Sequence, residues 1–217
     1  MIKNTVLKRR AFLRGMALGS VLVASCSKAH QAERQDAAET VPDQNSDPAA
    51  RLVAAARGQI GVTLSYDPSY TGIDYPGGDV PRSRGVCTDV IIRAYRDALG
   101  LDLQKLVHED MKANFAAYPN NWQLRSPDRN IDHRRVPNLQ TFFKRQGASL
   151  PVSSDPAAWQ VGDIFTSKVG GRLPHIGIVS RRADDGRLFA VHNIGRGARE
   201  EAVVFAHPLD GHFRWRV

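Results

Sequence analysis

The hydrophobic pattern of this chain changes period near residue 150, and that change restricts the fold more than any other feature. Before it, apolar residues recur at helical spacing. "DPAARLVAAARGQIG" carries them at 49, 52, 53, 56 and 60 behind Asp47, a candidate helix cap. The stretch from Cys87 to Gly100 places Ile91, Ala94, Tyr95, Ala98 and Leu99 on one side and Arg93, Arg96 and Asp97 on the other, with Gly100 as a stop. In "VPNLQTFFKRQG" the residues Leu139, Phe142 and Phe143 share a helical face. After residue 150 the apolar runs are short. "VGDIFTS", "HIGIVSRR" and "RLFAVHNIG" read as strands, the last two joined by the turn residues Asp184-Asp185-Gly186, and "AVVFAHPL" and "HFRWRV" supply two more. Helices first and a mostly antiparallel sheet afterwards predict an α+β domain over residues 49–217.

The N-terminus stands outside that domain. "MIKNTVLKRRAFLRGMALGSVLVASC" joins a basic segment to a short apolar run and small residues before a cysteine, the pattern of a processing signal. Lys8 to Arg14 resembles the twin-arginine export motif. Leu22-Val23-Ala24-Ser25-Cys26 resembles a bacterial lipobox, in which the cysteine becomes the lipidated first residue. Residues 1–25 are therefore expected to be a signal peptide, Cys26 a lipidation site, and 26–48 a lipidated tether without a packed core. By resemblance to the lipoprotein sorting rule, Ser27 leans toward the outer membrane of a Gram-negative cell, giving an exported, periplasmic protein that meets the membrane through its anchor alone. The apolar run 15–24 is shorter than the ~20 residues a bilayer core needs.

Removal of the signal changes the charge argument. The whole chain is formally +8, but residues 1–25 hold five Lys or Arg and no acid, which leaves 25 basic against 22 acidic side chains, about +3. Nucleic acid is not an expected partner, and Arg134-Arg135 and Arg181-Arg182 read as solvated faces.

With Cys26 acylated, Cys87 has no partner for a disulfide within the chain. It opens a helix, where half a positive charge and unpaired N–H groups favour a thiolate and predict a lowered pKa. A buried, inert thiol fits the same stripe. A nucleophilic cysteine needs an imidazole and a group to orient it. His175 opens the strand "HIGIVS", and Gly177 leaves room beside it for another element. His192 and Asn193 in "AVHNIG" are the candidate orienting groups.

The Gly- and Tyr-containing loop before a helix-start cysteine, then "GDI", then two strands each carrying a histidine, resembles the NlpC-type cysteine peptidases of bacterial cell walls, within the papain-like superfamily. Within them, "YDPSY", "YPGGDVP", "RGVCTDVIIRAYR", "LQKLVHEDM", "LPHIGIVS", "VHNIG" and "GHFRW" resemble a YijF-like family of unknown function. The resemblance covers about residues 50–217. It implies a papain-like fold, a Cys/His hydrolase mechanism without metal or other cofactor, and peptidoglycan peptides as substrate. The usual Asp-Cys-Ser-Gly is replaced here by Val86-Cys87-Thr88-Asp89. A loop tyrosine contributes to the site in such enzymes, so Tyr66 and Tyr75 are candidate substrate-binding residues. Asp79 and Arg84 are candidates for setting substrate charge preference or, more simply, for pairing with each other. Asp89 is expected to cap the helix.

One expectation concerns register. A tight turn at Asp185-Gly186 would pair residues whose numbers sum to 371, leaving His192 opposite Val179, ~13 Å along the strand from His175. Direct contact requires a wider loop or a bulge; a one-residue slip would bring in Asn193 instead. His108-Glu109-Asp110 lacks the spacing of a metal site. The sequence thus supports an envelope cysteine peptidase or amidase, with a transferase using the same pair, or a catalytically silent cell-wall-binding lipoprotein, as the alternatives.

Overall fold

The computed structural model describes residues 47–217. The signal peptide, the lipidation of Cys26 and nearly all of the tether lie outside the described residues. Helix α1 (Pro48–Arg57) starts where the sequence places it and buries Leu52, Val53 and Ala56. Asp47 caps it differently from the expectation: its backbone carbonyl accepts the Arg51 N–H at 3.1 Å, and its side chain makes no cap bond.

The loop 62–85 is more ordered than its composition suggests. Its ends form a short parallel pair, β1 (Ser65–Tyr66) and β2 (Arg84–Gly85). Its middle is fastened to helix α3 (Leu103–Ala113): Gly77 N–H donates to Asp102 at 2.7 Å, Gly78 N–H to Gln104 at 2.9 Å, and Gln104 returns a bond to the Asp74 carbonyl. A Cβ on Gly78 would lie 2.1 Å from the Asp74 carbonyl oxygen, so the turn requires glycine.

Helix α2 (Cys87–Leu99) ends at Gly100, whose φ of 66° is the left-handed cap that residue supplies. The sequence places Arg93 on the polar side of this helix, but the structure buries it completely. α2 runs through the centre of the domain, and Arg93 holds the preceding loop to it. Its guanidinium reaches the Asp79 carboxylate, Thr63 Oγ1 and the carbonyls of Val80 and Arg84, all within 3.2 Å. A buried guanidinium is tolerated because its donors are satisfied.

Helix α4 (Val136–Arg145) completes the helical layer, burying Leu139, Phe142 and Phe143 as expected. Against the helices lies an antiparallel sheet of β3 (Ile164–Val169), β4 (Leu173–Arg182), β5 (Leu188–Asn193), β6 (Ala198–Glu201) and β7 (Leu209–Phe213), in the order β6-β5-β4-β3-β7. The architecture is α+β. Alternation divides the sheet residues: Ile164, Ile176, Ile178, Val191 and Phe213 join the helices in the main core, while Phe165, Val179, Leu188 and Ala190 pack with Trp159 and Val204 on the other face. Among the described residues no helix is long and apolar enough to cross a membrane.

Two strand expectations are corrected. "AVVFAHPL" is a turn, closed by Val203 N–H to Glu201 O and Ala206 N–H to Val203 O, because Val204 fills a gap against Trp159. The paired strand is instead the polar "AREE" before it, an edge strand in which Arg199 is exposed and both glutamates are half-buried. The last strand starts earlier than expected, and "GHFRW" shows why those residues occur together. Phe213 and Trp215 enter the aromatic core, while His212 and Arg214 clasp the fully buried Asp163 of "GDI" at 2.7 to 2.9 Å. His212 also stacks on Trp159 at 3.6 Å.

Candidate active site

Cys87 occupies the first turn of α2, where the backbone N–H groups of Ile176, Thr88 and Cys87 itself lie near its sulfur and favour the thiolate. The Ile176 N–H places the sulfur against β4, one residue from His175. Tyr66 brings its hydroxyl to the same sulfur. The electrostatics reverse the sequence expectation. Burial pushes the thiol up to about 12, overriding the N–H groups that favour the thiolate, with the Asp89 carboxylate adding to the rise. Burial likewise pushes His175 down to about 3, helped by His192 and His207. At neutral pH the resting pair is a thiol and a neutral imidazole.

His175 Nε2 and His192 Nδ1 are 3.0 Å apart, and His192 Nε2 is 3.1 Å from the Glu201 carboxylate. This arrangement leaves Nδ1 of His175 outside the contact between the two histidines. The register that permits it arises in two steps. The turn is a three-residue loop with Gly186 at φ 82°, so Arg182 faces Leu188, a sum of 370. A bulge between Val179 and Arg181 then sets Val179 opposite Ala190 and Ile178 opposite Val191, a sum of 369. His192 therefore faces Gly177, and His175 is its diagonal neighbour, within reach of a long side chain. A direct facing pair is not needed. Gly177 is required for this packing: a Cβ there would lie 2.5 Å from the Phe165 ring and 3.1 Å from His192 Cβ.

Asn193 does not orient His175. Alternation turns it to the helix side of the sheet, where Nδ2 donates to the carbonyls of Gly85 (2.9 Å) and Ser65 (3.3 Å) and Oδ1 accepts Gly195 N–H. It ties the strand end to the loop that leads into Cys87. Tyr75 lies away from Cys87, edge-on to His108 at 5.1 Å with Arg129 over its ring. Asp79 and Arg84 do not pair with each other. Asp79 serves Arg93, and Arg84 pairs with Asp67.

Two polar elements of the site escaped the sequence reading. Asp89 accepts the Val86 N–H at 2.6 Å, closing the helix start from its third residue as expected, but it also forms a bidentate pair with Arg134 at 2.9 Å for both bonds. Both side chains are buried, so Arg134 is no solvated residue. Glu201 was missed because it is the last residue of β6, a strand the hydrophobic pattern does not reveal. Among the described residues no cluster of His, Cys, Asp and Glu is arranged to hold a metal ion.

Cys87 opens on a hollow of about 400 Å³ walled by Tyr66, Tyr70, Trp122, Arg135, Val136 and Pro174. The Arg135 guanidinium lies 3.9 Å over the Trp122 ring. A second hollow of about 370 Å³ reaches His192 and Glu201 from the other side.

Fold and site together define an α+β domain in which a helix-start cysteine abuts a sheet whose adjacent strands β4 and β5 carry a linked pair of histidines. The chain belongs to the family described as Domain of unknown function (DUF1287), whose model matches residues 53–215. It is 49% identical over 203 residues to the Uncharacterized protein YijF of Escherichia coli (strain K12), a match covering 93% of this chain and 98% of that one. Among solved structures it is similar to the structure of NlpC1 from Trichomonas vaginalis, with a TM-score of 0.43 and 11% identity, over 78% of this chain. The match covers 45% of that chain's length.

Proposed function

We infer that this protein is an envelope cysteine hydrolase, a peptidase or amidase acting on peptidoglycan peptides. The observation that carries the reading is that the Cys87 sulfur stands beside the backbone of Ile176, the residue after His175, while His175 is linked through His192 to Glu201. In the reaction the sulfur bonds to the amide carbon as His175 Nδ1 takes the thiol proton. Because both groups are neutral at rest, that transfer accompanies attack. The N–H groups at the start of α2 receive the oxyanion. His175 then gives its proton to the leaving amine, and water attacks the thioester with His175 as base, releasing the acid and the free thiol. His192, fixed by Glu201, keeps the His175 tautomer and ring orientation. The export signal and lipobox read in residues 1–26 support an address where murein lies.

The test is incubation of purified protein with murein sacculi, with products resolved by mass spectrometry. New muropeptides that disappear with Cys87→Ala and His175→Ala support hydrolysis; undiminished products in either variant overturn it. One observation favours a second reading, a silent cell-wall-binding lipoprotein: burial drives the Cys87 thiol away from the reactive thiolate. Sacculus pull-down without any product would favour that reading.

A further inference from the structure

The hollow at Cys87 holds more aromatic surface than attack on an amide requires. Besides Tyr66, whose hydroxyl meets the sulfur, it is lined by Tyr70, 61% exposed, and Trp122, 38% exposed. Ordering large side chains that gain little from burial costs rotamer entropy, and here polar contacts offset it. The Tyr70 hydroxyl donates to the Asp128 carboxylate at 3.1 Å and accepts from the Asn130 side-chain amide at 2.8 Å. The Asp128 N–H in turn donates to the carboxylate of Asp132, which is buried. Arg135 donates to that same carboxylate at 3.1 Å and lies 3.9 Å over the Trp122 ring. One buried acid thus anchors both aromatic walls.

This network is held in register with the nucleophile. Arg134, the neighbour of Arg135, makes the bidentate pair with Asp89 in the first turn of α2, two residues from Cys87. The charges of the hollow are also balanced. Among the described residues lining it there is no acid, and its two arginines are matched by Asp89 and Asp132. A charged ligand therefore gains no unpaired counterion there. An uncharged ligand with apolar faces and a polar edge fits both the rings and the groups that hold them. A pyranose has that form: axial C–H groups cover its faces and pack on aromatic carbon, while its edge carries hydroxyls for the Asp128, Asn130 and Arg135 groups beside the rings. An aliphatic side chain would leave those polar groups unmatched.

We propose that Tyr70 and Trp122 form the seat of a pyranose ring that the substrate peptide still carries. The assignment rests on the peptide-directed reading above and narrows it: the protein takes sugar-linked peptides ahead of free ones. Its reaction then belongs before any step that strips the sugar from the peptide.

The experiment uses the full chain carrying Cys87→Ala, so that binding is read without turnover. N-acetylmuramoyl-Ala-γ-Glu-Lys, and the same peptide carrying only a lactoyl group in place of the sugar, are titrated by calorimetry. The sugar-bearing peptide should bind about tenfold more tightly, the upper size of one aromatic stacking contact. Tyr70→Ala, a change at an exposed ring, should bring that preference within about twofold, and Trp122→Ala should reduce it in parallel. Equal affinities in the parent, a preference that survives both substitutions, or an absence of binding to both peptides overturns the seat. A peptide with a phenylacetyl group in place of the sugar, if it bound as tightly, would make the hollow a general apolar pocket and also overturn the assignment. Failure of the hydrolytic reading looks different: a sugar preference that depends on Tyr70, in a protein whose wild type yields no murein products, keeps the seat and removes the hydrolysis.

Discussion

His175 and His192 lie on adjacent antiparallel strands as diagonal neighbours, joined Nε2 to Nδ1 at 3.0 Å across the space that Gly177 leaves by having no side chain. This contact makes a relay of two residues 17 positions apart, and it depends on one bulge and one glycine.

Gly177→Ala should therefore be costly. The added methyl meets the Phe165 ring and crowds His192, and overpacking of this kind costs about 1–3 kcal/mol. Urea unfolding should show the loss. Gly72→Ala, where nothing lies within 4 Å of the new atom, is the matched control and should stay within about 0.5 kcal/mol. Equal stability of the two variants would mean that the packing around Gly177 is looser than described.

The relay should grade in importance along its length. His192→Ala leaves Nε2 of a buried His175 without its partner, and activity on murein peptides should fall by about 10²–10⁴. Glu201→Gln keeps a hydrogen-bond acceptor, and with its side chain 42% exposed the loss should stay within about tenfold. Asn193→Ala should act on stability, since its bonds run to Gly85 and Ser65. A larger kinetic defect in Asn193→Ala than in His192→Ala would exchange the two assignments.

Thiol labelling should reflect burial. In the unliganded protein, reaction of Cys87 with iodoacetamide should rise with an apparent pKa above about 9, later than a free thiol near 8.5. A plateau already reached at neutral pH would show a preformed thiolate and restore the helix N-terminus as the dominant influence.

Acid should destabilise the domain in a window set by two imidazoles. His175 and His133 are both pushed by burial down to about 3, whereas in the unfolded chain each titrates near 6.5. Between those values the unfolded state binds protons that the folded state does not. The stability present above pH 6.5 is thus lost as pH falls toward 3, by about 2 kcal/mol per imidazole at pH 5. His175→Gln should flatten the fall in urea midpoint between pH 7 and 5; an unchanged slope would show that His175 is charged in the folded protein.

Arg134→Met should be among the most damaging changes, because it leaves the Asp89 carboxylate buried without its counterion, at about 3–5 kcal/mol. Adding Asp89→Asn should restore much of the loss, and a double-mutant cycle measures the coupling. Additive effects would mean that the pair is not a unit.

Much of this domain is legible in local sequence. The periods of 3.6 and 2 locate α1, α2, α4 and three of the strands, and Gly100 and Gly186 mark a helix end and a hairpin turn because only a residue without Cβ takes those backbone angles freely. Cys87, His175 and His192 stand out as residue types at element ends. What the tertiary structure alone decided depends on contacts distant along the chain. Periodicity reports which face of an element is apolar, so it placed Arg93 in solvent, although α2 is surrounded and the guanidinium is satisfied by a loop that local pattern cannot position. It favoured "AVVFAHPL" over "AREE" as a strand, because apolar content cannot tell a buried turn from a paired edge. A register set by a bulge, and a thiol pKa set by desolvation against a helix N-terminus, are balances between groups brought together only by folding. For that reason the sequence named the nucleophile and base candidates, but which residue contacts His175, and whether burial or the helix N-terminus dominates at the thiol, were decided by the fold.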